Sequence, residues 1–280
     1  MADHNIWKHV KVDPDSIKNN PYLNPVQPST SPPIAEPPII VSNGEYIKLP
    51  KTDTYATGVV ALQAFLKANS SGAHPKFTLS NGSNVYSNVY RPLTFKENVE
   101  ARVTDYNTDK NVDGSTRTAE QKIELFTNWI DSCTGIAYEK KKSKFKIIPI
   151  CDTLISLPED FNDAFYSITY SRLVGRELDS STDLYNQDLT LQQVLVHPAW
   201  FAVLEDDKTL LKTYAKITFD LLKSKYSKES GMGFSVQSNT TKDELRALFV
   251  NSIDNNSDAC GNDDLSNYAR FLRVAPREKK

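Results

Sequence analysis

From about Tyr46 onward, the apolar residues of this chain fall mainly at helical spacing. Val59, Val60, Leu62, Ala64, Phe65 and Leu66 follow a capping Thr52 or Asp53, and the polar run at 69–72 stops that helix. Thr94 and Glu97 form a capping box, with Phe95, Val99, Arg102, Val103 and Tyr106 behind it. A second helix is predicted over 118–132, with Ile123, Phe126, Trp129, Ile130 and Cys133 as its stripe. Pro158 starts another that carries Phe161, Phe165, Ile168 and Leu173 and closes at Gly175. Thr190 opens the next, which Pro198 breaks and restarts, and 206–228 forms a longer amphipathic helix. Thr241 and Glu244 read as a further capping box leading Leu245, Leu248 and Phe249, and 264–274 closes the chain as a last helix. Strand signals are sparse. They are 76–80 and 84–90 around the turn dipeptide Asn81-Gly82, and 144–150. The expected fold class is mainly α (α+β): a helical domain with a small β-hairpin element over 46–280, subdivided near 150–158 if at all.

Residues 1–45 break the pattern. Nine of the fifteen prolines lie within 13–50, and proline removes a backbone donor and fixes φ, so neither helix nor central strand runs through them. The result is an extended, polyproline-like arm. It carries apolar beads at both ends, with Trp7 near the start and Ile39, Ile40 and Val41 near the finish. A plain spacer has no use for Trp7. The arm either docks on a neighbouring subunit or partner through these residues, or packs back on its own domain.

Composition narrows the function classes. The net charge is −2, with 33 basic and 35 acidic residues, which argues against duplex nucleic acid as the main partner. Cys133, Cys151 and Cys260 are far apart and odd in number, which suits free thiols in a reducing, cytoplasmic setting. The N-terminus lacks the apolar stretch of a secretory leader, and no apolar run has the length to span a bilayer. Phosphate-cradling glycine loops, zinc-protease helices and the nucleophile-elbow pattern are all missing from the sequence.

One pattern has the spacing of a cation loop. Asp109, Asn111, Asp113, Gly114, Ser115 and Glu120 fit D-x-[DN]-x-[DN]-G followed by five residues and a glutamate. Calcium takes six to eight oxygens, which such a loop supplies from alternate side chains, one backbone carbonyl and a bidentate glutamate. With predicted helices on both sides, the stretch resembles an EF-hand. That resemblance implies Ca2+ held by Asp109, Asn111, Asp113, the Ser115 carbonyl and Glu120. Thr116 stands where the family has an aliphatic residue, and Thr108 where it has an apolar one. The same residues also suit an acidic turn between helices, with Thr118 as N-cap and Glu120 as a first-turn acid.

Three further clusters carry chemistry. Lys140, Lys141, Lys142, Lys144 and Lys146 surround Phe145 and could contact a phosphate backbone, though a solvated strand edge uses lysines the same way. His197, beside Pro198 and Trp200, has no acid or thiol near it in sequence and reads as a hydrogen-bonding group at a helix break. Gly175, Arg176, Glu177 and Asp179 are faintly similar to a turn of some helical bundle modules, and a glycine C-cap accounts for them. The function expected is a non-enzymatic assembly or interaction protein that docks on partner or sister subunits through its arm, in the manner of viral or phage structural and host-interaction proteins. The alternatives are a calcium-binding module at 109–120 and a nucleic-acid binder at 140–146.

Overall fold

The computed structural model describes residues 46–48, 51–68, 76–78, 84–86, 91–111 and 114–274. Contacts divide the chain into two units, Met1–Pro37 and Pro38–Lys280, and every described residue belongs to the second. Trp7, Ile39, Ile40 and Val41 lie outside the described residues, as does Asp113 of the cation-loop pattern.

The chain order begins with β1 (Tyr46–Lys48), helix α1 (Tyr55–Ala68) and the antiparallel pair β2 (Lys76–Thr78) and β3 (Asn84–Tyr86). Helices α2 (Phe95–Asn107) and α3 (Ala119–Lys122) follow. The centre of the fold comes next: a seven-stranded mixed sheet of β4 (Ile130–Tyr138), β5 (Lys144–Ile148), β6 (Tyr166–Ser167), β7 (Arg176–Asp179), β8 (Phe234–Ser235), β9 (Glu244–Val250) and β10 (Ala259–Cys260). Its order is β7-β5-β4-β9-β10-β8, with β6 paired to β9. Only the β10–β8 pair is parallel among these. Between the strands lie short α4 (Asp152–Ile155), α5 (Leu191–Val194) and α6 (Pro198–Val203), and long α7 (Lys208–Tyr226). The last strand, β11 (Leu272–Val274), returns antiparallel to β1 and brings the two ends of the described chain side by side.

The expected mainly α class is therefore wrong. The 118–132 helix shrinks to the single turn of α3, and Ile130 onward is β4. Residues behind Pro158 form β6 and a 3-10 turn at Tyr170–Arg172. The 264–274 helix is a run of turns ending in β11, and the segment behind Thr241 is strand β9. The cause is burial on both faces of the sheet. In β9, Leu248 and Val250 pack into one core with α2, α6 and α7, while Leu245 and Ala247 pack into a second core with α1 and α4. A strand covered on both sides loses its apolar–polar alternation, so Leu245, Leu248 and Phe249 mimic helical spacing. All nine residues of β4 are buried for the same reason.

Gly175 is not a helix C-cap. A Cβ there would lie 2.8 Å from the Ile147 carbonyl oxygen, so glycine lets the chain close onto β5 before β7 begins.

Local signals hold where they are strongest. Thr94 and Glu97 form the reciprocal capping box of α2, and Thr190 and Gln193 do the same for α5. Pro198 opens α6 at its first turn, and Asp207 caps α7. No described helix is long and apolar enough to cross a membrane.

Candidate functional site

The register of the central sheet builds a shallow pocket at one of its ends. Ile130 pairs with Val250 and Asp131 with Phe249. Continuing that register by one residue sets Trp129 across from Asn251. The chain then returns through 263–268, and a pocket of about 270 Å³ forms between Trp129, Phe249, Asn251, Asp263, Asn267 and Tyr268. Tyr268 is 51 % exposed, the largest exposure of any aromatic side chain described. Its ring lies 5.8 Å from that of Trp129 at an angle of 49°. Lys51 places its ammonium 2.8 Å from the Tyr268 centroid, and the Arg270 guanidinium lies 4.2 Å from that of Trp129.

Three buried charged side chains fix the backbone beneath this face. Arg102 of α2 is wholly buried. It donates through Nη2 to the carbonyls of Asn128 at 2.6 Å and Asn251 at 2.9 Å, the residues flanking and facing Trp129. Its Nη1 donates to Tyr214 Oη at 2.8 Å and Ser257 Oγ at 3.0 Å. None of these acceptors is an acid, and burial lowers the pKa of the guanidinium. Asp131 holds the returning segment: its N–H donates to the Arg270 carbonyl and its Oδ2 accepts from the Arg270 N–H, both at 2.8 Å. Burial pushes the Asp131 carboxyl up to about 7. Arg246 of β9 donates to Asp264 Oδ1 at 2.6 Å and to the Asp263 carbonyl at 3.0 Å, with Glu244 Oε2 on its other edge at 3.1 Å. Residues 263–270 are thus displayed on a backbone anchored from inside the sheet.

The sequence-predicted sites come out differently. Asp109 pairs with Lys122, which lowers the Asp109 pKa. Asn111 donates through Nδ2 to Ser115 Oγ at 2.8 Å, and the Ser115 carbonyl accepts from the Asn111 N–H at 2.9 Å. Lys110 and Thr116 bridge, which draws the two described sides of the loop together. Glu120 is exposed in the single turn of α3. Arg117, which the motif leaves unassigned, anchors the loop. It makes a bidentate pair with Asp105 at 2.8 Å, with both side chains 1 % exposed, and it also donates to the Gln121 carbonyl. Asp109, Glu120, Lys122, Tyr106 and Lys225 share the rim of a pocket of about 550 Å³. Among the described residues no group of three or more His, Cys, Asp or Glu is placed to hold a metal ion.

The lysine cluster is largely committed to the protein. Lys142 pairs with Glu139 and Lys144 with Glu177. Lys146 donates to the Tyr170 and Leu173 carbonyls and lies over the Tyr170 ring. Lys140 and Lys141 lie in the exposed turn between β4 and β5. His197 is buried and caps α6: its Nδ1 accepts from the Ala199 N–H, and its Nε2 contacts the Leu184 carbonyl. Cys133, Cys151 and Cys260 are free and buried, and burial raises all three thiol pKa values.

Helical periodicity places Trp129 on a helix stripe and Tyr268 inside a last helix, so it does not bring the two rings together. The signal available was compositional: Asn262, Asp263, Asp264, Asn267 and Tyr268 cluster within seven residues, a density that suits a displayed loop.

Comparison with known proteins finds no matching protein family and no matching curated protein. A solved structure described as "Accommodation of massive sequence variation in Nanoarchaeota by the C-type lectin fold" is similar over 83 % of this chain and 98 % of that one. The TM-score is 0.51 at 15 % sequence identity. The likeness gives the fold: a β-rich, C-type lectin-like sheet in place of the mainly helical domain that the periodicity suggests.

Proposed function

We propose that this chain is a non-enzymatic binding module and that the pocket between Trp129 and Tyr268 is its ligand-contacting face. One observation carries this reading. Exposed aromatic, amide and carboxylate side chains sit together on a segment whose backbone is held from below by Arg102, Asp131 and Arg246. A face of that kind binds without paying to order itself, and aromatic residues on a rigid frame are the usual anchors of recognition. The likeness to a C-type lectin fold that accommodates massive sequence variation supports it. In such a scaffold the interior clamps carry stability, so the displayed side chains are at liberty to serve a ligand.

Protein and glycan arrays probed with the full chain test the proposal. The expected result is a defined set of bound features that the Trp129→Ala, Tyr268→Ala double variant loses while keeping its unfolding midpoint. An identical set bound by the variant sinks it. Within the same reading, Trp7, Ile39, Ile40 and Val41 tether the module to a partner or sister subunit. Deleting 1–45 then alters the oligomeric state in light scattering or the proteins recovered with the chain. No change in either removes the tether.

A further inference from the structure

Against the Trp129 and Tyr268 rings, beside the pocket, lie two cations that make no close ion pair among the described residues. Lys51 forms no ion pair among the described residues, and its ammonium rests against Tyr268 at 2.8 Å and Trp129 at 5.7 Å. The Arg270 side chain donates one hydrogen bond, from Nη1 to Asn128 Oδ1 at 2.5 Å. A guanidinium has five N–H donors in a planar fork, so most of those of Arg270 are unspent. Four other arginines of this chain are paired with acids, whereas Arg102, like Arg270, is not paired among the described residues. Arg91 sits on Glu97, Arg117 on Asp105, Arg176 on Asp206, and Arg246 on Glu244 and Asp264.

Two acids face the pair, and both are engaged elsewhere. Asp263 Oδ1 accepts from the Asp264 N–H at 2.8 Å and from Asn267 Nδ2 at 2.5 Å. Asp131 is buried: its Oδ2 accepts from the Arg270 backbone N–H, and it acts on the guanidinium only through space. With its carboxyl pushed up to about 7, Asp131 carries only part of a charge near neutrality.

Resting on the binding face proposed above, we infer that its ligand is an acidic protein partner, which presents an Asp or Glu carboxylate to Lys51 and Arg270. A carboxylate matches the guanidinium fork in a two-point geometry, and the ammonium adds a point charge beside it. The Tyr268 and Trp129 rings hold these cations in place by cation–π contact, so both charges are pre-positioned for an anion.

Fluorescence anisotropy with a labelled oligoglutamate peptide and the full chain is the test. The wild type is expected to bind, more weakly as salt rises, while oligolysine and a Gly-Ser peptide do not bind. Lys51→Gln with Arg270→Gln is expected to weaken binding about ten-fold, the combined effect of two partly exposed charges. A matching unfolding midpoint shows that this variant folds, and Lys51→Arg is expected to keep most of the affinity. No oligoglutamate binding, or binding untouched by the double change, overturns the inference. Tighter binding of oligoglucuronate than of the peptide overturns the choice of a protein partner. Loss of array ligands in the Trp129→Ala, Tyr268→Ala variant alongside unchanged oligoglutamate behaviour would remove the acidic ligand and leave the binding face in place.

Discussion

Two Asp- and Asn-rich loops of this chain, 109–120 and 261–271, look alike in composition and are held by opposite means. The first is closed locally. Lys110 meets Thr116, Asn111 meets Ser115, Asp109 meets Lys122, and Arg117 locks the loop to Asp105, all within eighteen residues. The second is closed by residues far away in sequence. Asp131 reaches Arg270 across 139 positions, and Arg102 reaches the Asn251 carbonyl across 149. The first loop spends Asp109, Lys110 and the Asn111 amide N–H2 on local pairings, though Asn111 Oδ1 is buried without a partner among the described residues. In the second, the backbone is satisfied from beneath and Tyr268 turns outward, while Asp263 and Asn267 bond to each other.

The largest effect that would sharpen this contrast lies in the local loop. Arg117→Ala removes the bidentate arginine that neutralises the buried Asp105 carboxylate, and the expected loss is about 3–5 kcal/mol in urea unfolding. A loss under about 1 kcal/mol would mean that the loop is not anchored there. Arg102→Met is expected to cost about 2–3 kcal/mol, because it strands the carbonyls of Asn128 and Asn251 while also removing a buried charge. It should also speed amide exchange at 128–130 and 250–252. Unfolding with no change at those amides would detach Arg102 from the binding face.

The Asp131 clamp has a pH signature. Its folded pKa, about 7, lies above that of an unfolded aspartate, so the folded state binds the extra proton between about pH 4 and 7. Its contribution to stability is therefore best at low pH and declines as pH rises through 7. Wild type minus Asp131→Asn, compared as unfolding free energies at pH 5 and pH 8, should show that decline; a difference that does not move with pH contradicts it. The smallest effect is expected from calcium. A loop held by its own pairings gives no rise in melting temperature at about 1 mM calcium, within reach of weak oxygen-ligand sites. A rise abolished by Asp109→Ala would make the loop a metal site instead.

The contrast also marks what the sequence could say. Capping boxes at Thr94 and Thr190, the proline opening α6 and the strand at β5 were legible because each is decided within a few residues. The central strands were not. Leu245 and Leu248 belong to different cores on opposite faces of β9, and no one-dimensional period separates that arrangement from a helix stripe. Thr241 and Glu244 had the letters of a capping box, but Glu244 is the first residue of a strand and pairs with Arg246. The candidate site was hidden for a related reason. Trp129, Asn251 and Tyr268 meet only through the β4–β9 register and the Asp131 clamp, neither of which is a local pattern.

The most direct test sets the two loops against each other in one binding assay. Arrays are probed in parallel with the wild type, the Trp129→Ala, Tyr268→Ala variant and the Asp109→Ala, Glu120→Ala variant. The first variant is expected to lose the bound features and the second to keep them. Features kept by the first and lost by the second would place the function of this chain in the 109–120 loop instead.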